Sequence, residues 1–274
     1  MTTVELGAPP LEFVDLVGYR MAYRQWGNTD QTEAIVLIHG ITSSSLSWIR
    51  VAPALAADAR VLAVDLKGHG DSERPATGYR LTNQAHEVAG LVDALGLRGI
   101  RLIGHSWGGA ISAILASGTT LPISRVVLED PAINVGGGPP ERRRQMVQNY
   151  IGSVGLSLAE TEQRVRASAA PGWTEADIQG KIDAAVKTSP ASVQAVFDEN
   201  GTWDATDNLL RVRVPTLLVR AEVELGGIVG ETVLEAIRGN PLIEVVTIPA
   251  ADHNIHRGQY DAFMTKVVPF ITGS

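Results

Sequence analysis

The apolar run at residues 100–103 ends in Gly104-His105-Ser106-Trp107-Gly108-Gly109, and a helix-like segment follows. A serine on so tight a strand-to-helix turn is held in strained backbone geometry, and its neighbours must be small. Gly104 and Gly108 supply that room, while Gly109 lets the helix pack closely. The hydroxyl then stands at the C-terminal edge of a sheet, above the first-turn amides of the helix. A hydroxyl is a poor nucleophile until a base takes its proton, and histidine is poised to do so near neutral pH. The chain has six: His39, His69, His86, His105, His253 and His256. His39 and His69 sit in glycine-containing turns and His86 on an amphipathic helical pattern. His105 adjoins the serine, so its side chain is expected to diverge from it. Those four read as structural, which leaves His253 and His256 in the Asp252-His253-Asn254-Ile255-His256 loop.

Several nearly unbroken aliphatic runs must position these residues. They fall at 34–38, 60–66, 100–103, 125–128, 215–219 and 243–248. Runs that apolar suit strands buried on both faces, as in a parallel sheet covered by helices. Helical patterns separate them at 46–58, 81–95, 107–118, 230–237 and 257–271, with Thr82 and Glu87 helping to begin the second. Residues 11–16 and 19–25 flank Val17-Gly18 and read as an N-terminal hairpin. The alternation predicts an α/β fold with right-handed crossovers and a mostly parallel central sheet flanked by helices. Residues 132–206 break it, with helical patterns and no strand. The expected division is a core of residues 1–131 and 207–274 with a helical lid inserted at 132–206. Its charge run Glu141-Arg142-Arg143-Arg144 reads mainly as a solvated helix face, with steering of a carboxylate substrate as the alternative.

Composition narrows the function. The 274 residues carry 23 Lys and Arg against 30 Asp and Glu, for a net charge of -7. That balance disfavours nucleic acid, whose partners need clustered positive charge. There is no cysteine, which removes disulfides, thiolate metal sites and a cysteine nucleophile. No His-Glu-x-x-His occurs, so no metal or other cofactor is expected, and the Gly-x-Gly-x-x-Gly of a dinucleotide site is missing. MTTVELGAPP has neither a basic nor an apolar leader region, and the apolar runs are far shorter than a bilayer span. A soluble cytoplasmic protein without a membrane partner is expected, acting on a small molecule.

Taken in order, these motifs resemble those of a lid-bearing member of the α/β-hydrolase fold superfamily, over about residues 11–270. Ser106 falls on the family's nucleophile position, and His39-Gly40 on its His-Gly turn. Asp65-Leu66-Lys67-Gly68-His69-Gly70-Asp71-Ser72 is similar to its Asp-x-Arg-Gly-x-Gly-x-Ser loop, with Lys67 in place of arginine. The resemblance implies His253 as the base and the backbone amides of Ile41 and Trp107 as the oxyanion donors. Dehalogenases and epoxide hydrolases of this fold use a nucleophilic aspartate, and Ser106 argues against both.

The acid that orients the histidine is ambiguous at this level. The superfamily usually carries it after the strand at 215–219, where Glu224 lies at about the right offset in a loop unusual for its glycines. Some members carry it one strand earlier, where this chain has Asp130. Asp130 is the favoured acid and Glu224 the alternative, ahead of Glu222 and Glu129. Tyr150, Trp173, Phe197 and Trp203 are candidate pocket residues, although lid packing accounts for each as well. The expected activity is hydrolysis of carboxylic esters or lactones of small, rather hydrophobic substrates through an acyl-enzyme. Amide or C–C hydrolysis, or cofactor-free perhydrolysis, would use the same three residues. A non-catalytic ligand receptor on this fold is the remaining alternative.

Overall fold

The computed structural model describes residues 7–118 and 121–273. Of the leader reading, residues 1–6 lie outside that set. The first two strands, β1 (Glu12–Leu16) and β2 (Tyr19–Trp26), form the antiparallel hairpin. Then come β3 (Glu33–Ile38), β4 (Arg60–Val64), β5 (Gly99–His105) and β6 (Ile123–Glu129). A two-residue ribbon, β7 (Asn134–Val135) with β8 (Trp203–Asp204), precedes β9 (Thr216–Arg220) and β10 (Ile243–Thr247). The main sheet has eight strands in the order β1-β2-β4-β3-β5-β6-β9-β10. All its pairings from β4 to β10 are parallel.

Side chains alternate across a strand, so an aliphatic run feeds two cores at once. Val36, Ile38, Leu62 and Leu102 face one apolar layer, with α2 (Leu81–Ala94) and α3 (Trp107–Gly118) supplying Val88, Leu91 and Ile111. Ile35, Leu37, Val61 and Ile103 face the other, which takes in Trp48 and, from the C-terminal helix, Phe263 and Val267. The run at 243–248 departs from this pattern. As the edge strand β10 it is half exposed, since only β9 pairs with it.

Other expectations need correction in detail. The helix read at 46–58 is a 3₁₀ turn (Ser45–Trp48) followed by α1 (Val51–Leu55). The second helix starts after Arg80 with no side-chain cap, so Thr82 and Glu87 do not open it. Between β6 and β9 lie α4 (Pro140–Ile151), α5 (Leu158–Ser168), α6 (Glu175–Lys187) and α7 (Pro190–Asn200). Ser157 and Thr174 close capping boxes on α5 and α6, satisfying amides that a helix start leaves unpaired. That stretch is not free of strand, because β7 and β8 join its two ends. Trp203 fixes the ribbon by donating from Nε1 to the Ala132 carbonyl (2.8 Å).

Candidate active site

Ser106 stands between β5 and α3 with φ at 54°, the left-handed region that L residues avoid. Three backbone bonds hold it there. Its N–H donates to Glu129 O (2.9 Å), and its carbonyl accepts from Ala110 N (3.1 Å) and Ala132 N (2.9 Å). The glycines are steric necessities: a Cβ at Gly104 would lie 2.3 Å from Gly108 O, and one at Gly108 2.2 Å from Ile38 O.

His253 bridges the serine to a carboxylate. Its Nε2 lies 3.0 Å from Ser106 Oγ and its Nδ1 2.6 Å from Asp130 Oδ2. Asp130 is fully buried at the tip of β6, with φ at 35°. Its oxygens also accept from Ile228 N (3.0 Å) and Ala221 N (3.4 Å). A carboxylate accepts only, so Nδ1 of His253 carries the proton and Nε2 turns a lone pair toward the hydroxyl. The glycine-bearing loop after β9 thus supplies amide donors to Asp130. Glu224 sits exposed in the 3₁₀ turn Val223–Leu225, and Glu222 is only partly buried beside it; neither is placed against His253.

Two N–H groups border the serine. Trp107 opens α3, so its N–H has no intrahelical acceptor. The Ile41 N–H has no backbone acceptor among the described residues. His39 sets that turn: Nδ1 donates to Gly40 O (2.7 Å), and Nε2 accepts from Leu66 N (3.0 Å). A Cβ at Gly40 would lie 2.9 Å from His105 Nδ1 and 3.0 Å from Ser106 Cβ, so the turn can approach the serine only with glycine there.

The remaining histidines are buried, apart from His86, which is exposed on α2. Burial pushes His39, His105 and His256 well below the ordinary histidine value and His69 down to about 4. His105 does not simply point away. Its Nε2 donates to the His253 carbonyl (2.8 Å), and its ring lies 4.7 Å from that of His253 and 5.3 Å from that of His256. His256 makes a second array, with Nδ1 2.8 Å from Glu129 Oε1 and Nε2 3.0 Å from Ser47 Oγ. Burial raises the Glu129 carboxyl to about 7. Sequence reasoning missed this array, for which the adjacent acids Glu129-Asp130 and the paired histidines were the available signal.

The candidate pocket aromatics divide. Trp107, Trp203, Phe197 and Tyr150 form a chain of rings with successive centroids 4.8, 6.1 and 5.5 Å apart, running from the serine turn into the helical insertion. Trp173 is not part of it, because its ring packs on the guanidinium of Arg257 at 4.7 Å. Among the described residues no cluster of side chains suited to a metal ion occurs, and no helix is long and apolar enough to cross a membrane.

The fold agrees with a direct comparison. Residues 33–256 match the family described as alpha/beta hydrolase fold. The chain belongs to that family. Over 113 residues this alpha/beta hydrolase is 39% identical to a soluble epoxide hydrolase from Corynebacterium sp. (strain C12). That match is local, covering 41% of this chain and 38% of the relative. A full-length likeness, 28% identical over 267 residues, joins it to a putative 2-succinyl-6-hydroxy-2,4-cyclohexadiene-1-carboxylate synthase from Bacillus subtilis (strain 168), covering 93% and 96% of the two chains. The solved structure of an E-2-(acetamidomethylene)succinate hydrolase has the same fold, with a TM-score of 0.83 at 23% identity over 96% of this chain and 99% of that one.

Proposed function

We propose that this alpha/beta hydrolase is a serine hydrolase that cleaves small carboxylic esters or lactones through an acyl-enzyme on Ser106. The carrying observation is the unbroken line from Ser106 Oγ through His253 to Asp130, at 3.0 and 2.6 Å. In the first half-reaction His253 Nε2 takes the hydroxyl proton as Oγ attacks the carbonyl carbon. The Ile41 and Trp107 N–H groups receive the developing oxyanion, and Asp130 stabilises the imidazolium without taking its proton. The tetrahedral intermediate expels the alcohol, which leaves with the proton from Nε2. Water then attacks the acyl-enzyme with His253 again as base, releasing the acid and restoring Ser106.

In this reading residues 132–206 act as the lid, and the ring chain from Trp107 to Tyr150 lines the acyl path. The local likeness to an epoxide hydrolase does not extend the reading to epoxides, because the residue on the turn is Ser106. A panel of 4-nitrophenyl esters, lactones and matched amides tests it. Ester or lactone turnover that disappears in Ser106→Ala supports the reading, and turnover retained in that variant contradicts it.

A further inference from the structure

One basic side chain lies against the turn that carries the Ile41 amide and meets no acid there. Lys181, on α6, donates from Nζ to the Thr42 carbonyl (2.7 Å) and to Thr42 Oγ1 (3.1 Å). An ammonium has three N–H donors, so these bonds leave one uncommitted. Lys187, further along the same helix, is met by Asp71 at 2.8 Å and Asp183 at 3.1 Å. Lys181 has no such partner among the described residues. The charged group acting on it is another cation, Arg257. Burial and that repulsion bring the Lys181 ammonium down to about 7. A partly desolvated cation without a counter-ion is costly, and a bound anion would remove the cost.

Thr42 shares a cavity with a second cation. It lines a cavity of ≈ 560 Å³ together with Arg142, Gln145, Asn149 and Tyr150 of α4, and no carboxylate lines it. Arg142 is exposed, and the nearby acid of its own helix, Glu141, is engaged by Arg144 at 2.8 Å. Thr42 thus accepts from a lysine of α6 and borders the cavity that an arginine of α4 lines. Thr42 directly follows Ile41, the proposed oxyanion donor, so an anion held at Thr42 would lie close to the reacting carbonyl.

Resting on the proposed hydrolase reading, we propose that Lys181 and Arg142 bind a carboxylate carried by the acyl part of the substrate. The preferred substrates are then short dicarboxylate monoesters. An overall charge of -7 makes such a local pair of unmatched cations a means of admitting an anion that the rest of the surface repels.

Binding and turnover are measured separately. In Ser106→Ala protein, calorimetry compares monomethyl glutarate with methyl valerate, which differs by lacking the carboxylate. Monomethyl glutarate is expected to bind at least tenfold more tightly at low salt, and that margin is expected to fall at least fivefold when Lys181→Met or Arg142→Gln is added. A merely structural role for Lys181 would weaken both ligands together and leave their ratio unchanged. Equal binding of the two ligands, or a ratio that both added variants leave intact, overturns the proposal. In wild-type protein the 4-nitrophenyl monoester of glutarate is compared with 4-nitrophenyl valerate by kcat/KM. Turnover of both without selective binding removes the carboxylate site and leaves the hydrolase. Selective binding without any turnover removes the hydrolase reading and leaves the site.

Discussion

Glu129 and Asp130 are consecutive in the chain, yet each holds a different histidine of one loop. Asp130 accepts from His253 at 2.6 Å and Glu129 from His256 at 2.8 Å. Neighbouring side chains at a strand end point to opposite sides, so one tip of β6 serves two arrays. Each histidine continues to a serine at 3.0 Å, Ser106 in one case and Ser47 in the other. They are not equivalent. Ser47 lies in a 3₁₀ turn, nearly fully buried, and accepts from Arg257 Nη2 at 2.8 Å. Ser106 has left-handed backbone strain and, beside it, a helix-start amide with no intrahelical acceptor. The first array has the parts for acyl transfer, and the second has those of a strut for the histidine loop.

The acid assignment is directly testable. Asp130→Asn keeps the shape but removes the charge that fixes the tautomer and stabilises the imidazolium. By analogy with a measured triad, kcat is expected to fall by about 10³–10⁴-fold. Glu224→Gln, an exposed change, is expected to cost less than about threefold. Steady-state kinetics on one ester, with melting as a folding control, checks both; the reverse ranking would move the acid to the loop after β9.

Glu129→Ala is expected to act on stability. It removes the acceptor for both the His256 backbone N–H (2.8 Å) and Nδ1, inside a fully buried site. A buried donor left unpaired costs about 1–3 kcal/mol. Chemical denaturation is expected to show a loss of that order, with a smaller fall in kcat than for Asp130→Asn. Unchanged stability would mean that the array is not a strut.

Legibility in the sequence followed the range of the interaction. The sheet and the Ser106 turn were readable because unbroken aliphatic runs and closely spaced glycines are local signals. The Asp130 and Glu224 alternatives could not be separated that way, since the choice depends on amides from Ala221 and Ile228, some 90 residues beyond Asp130. Glu129 with His256 and Lys181 with Thr42 join positions 127 and 139 residues apart, and neither partner carries a periodic pattern. Strands β7 and β8 have two residues each, too few to show any period.

The buried histidines set a pH dependence of stability. His69 is held neutral down to about 4, and His39, His105 and His256 are depressed in the same direction. Unfolding lets each take up a proton below about 6.5, so their contribution is complete above that pH and is lost as pH falls toward the folded values. Glu129, Asp65 and Glu87, all raised by burial, oppose this, because they bind protons on folding at acid pH. Four depressed histidines outweigh three raised acids. Unfolding free energy is expected to drop by about 2 kcal/mol or more between pH 7 and pH 5. A flat profile over that range would contradict the burial argument.

The aromatics are expected to separate by function. Trp203→Ala removes the ring between Trp107 and Phe197 and is expected to cost about 3–5 kcal/mol of stability while redistributing kcat/KM among acyl chain lengths. Trp173→Ala, on the Arg257 side, is expected to change stability with little redistribution. Matched effects of the two on chain-length preference would place Trp173 on the acyl path after all.

Covalent labelling tests the central claim most directly. A fluorophosphonate added to the intact protein is expected to give one adduct by mass, mapped by peptide sequencing to Ser106 and absent in Ser106→Ala. No adduct, or an adduct that persists in Ser106→Ala, would contradict Ser106 as the nucleophile.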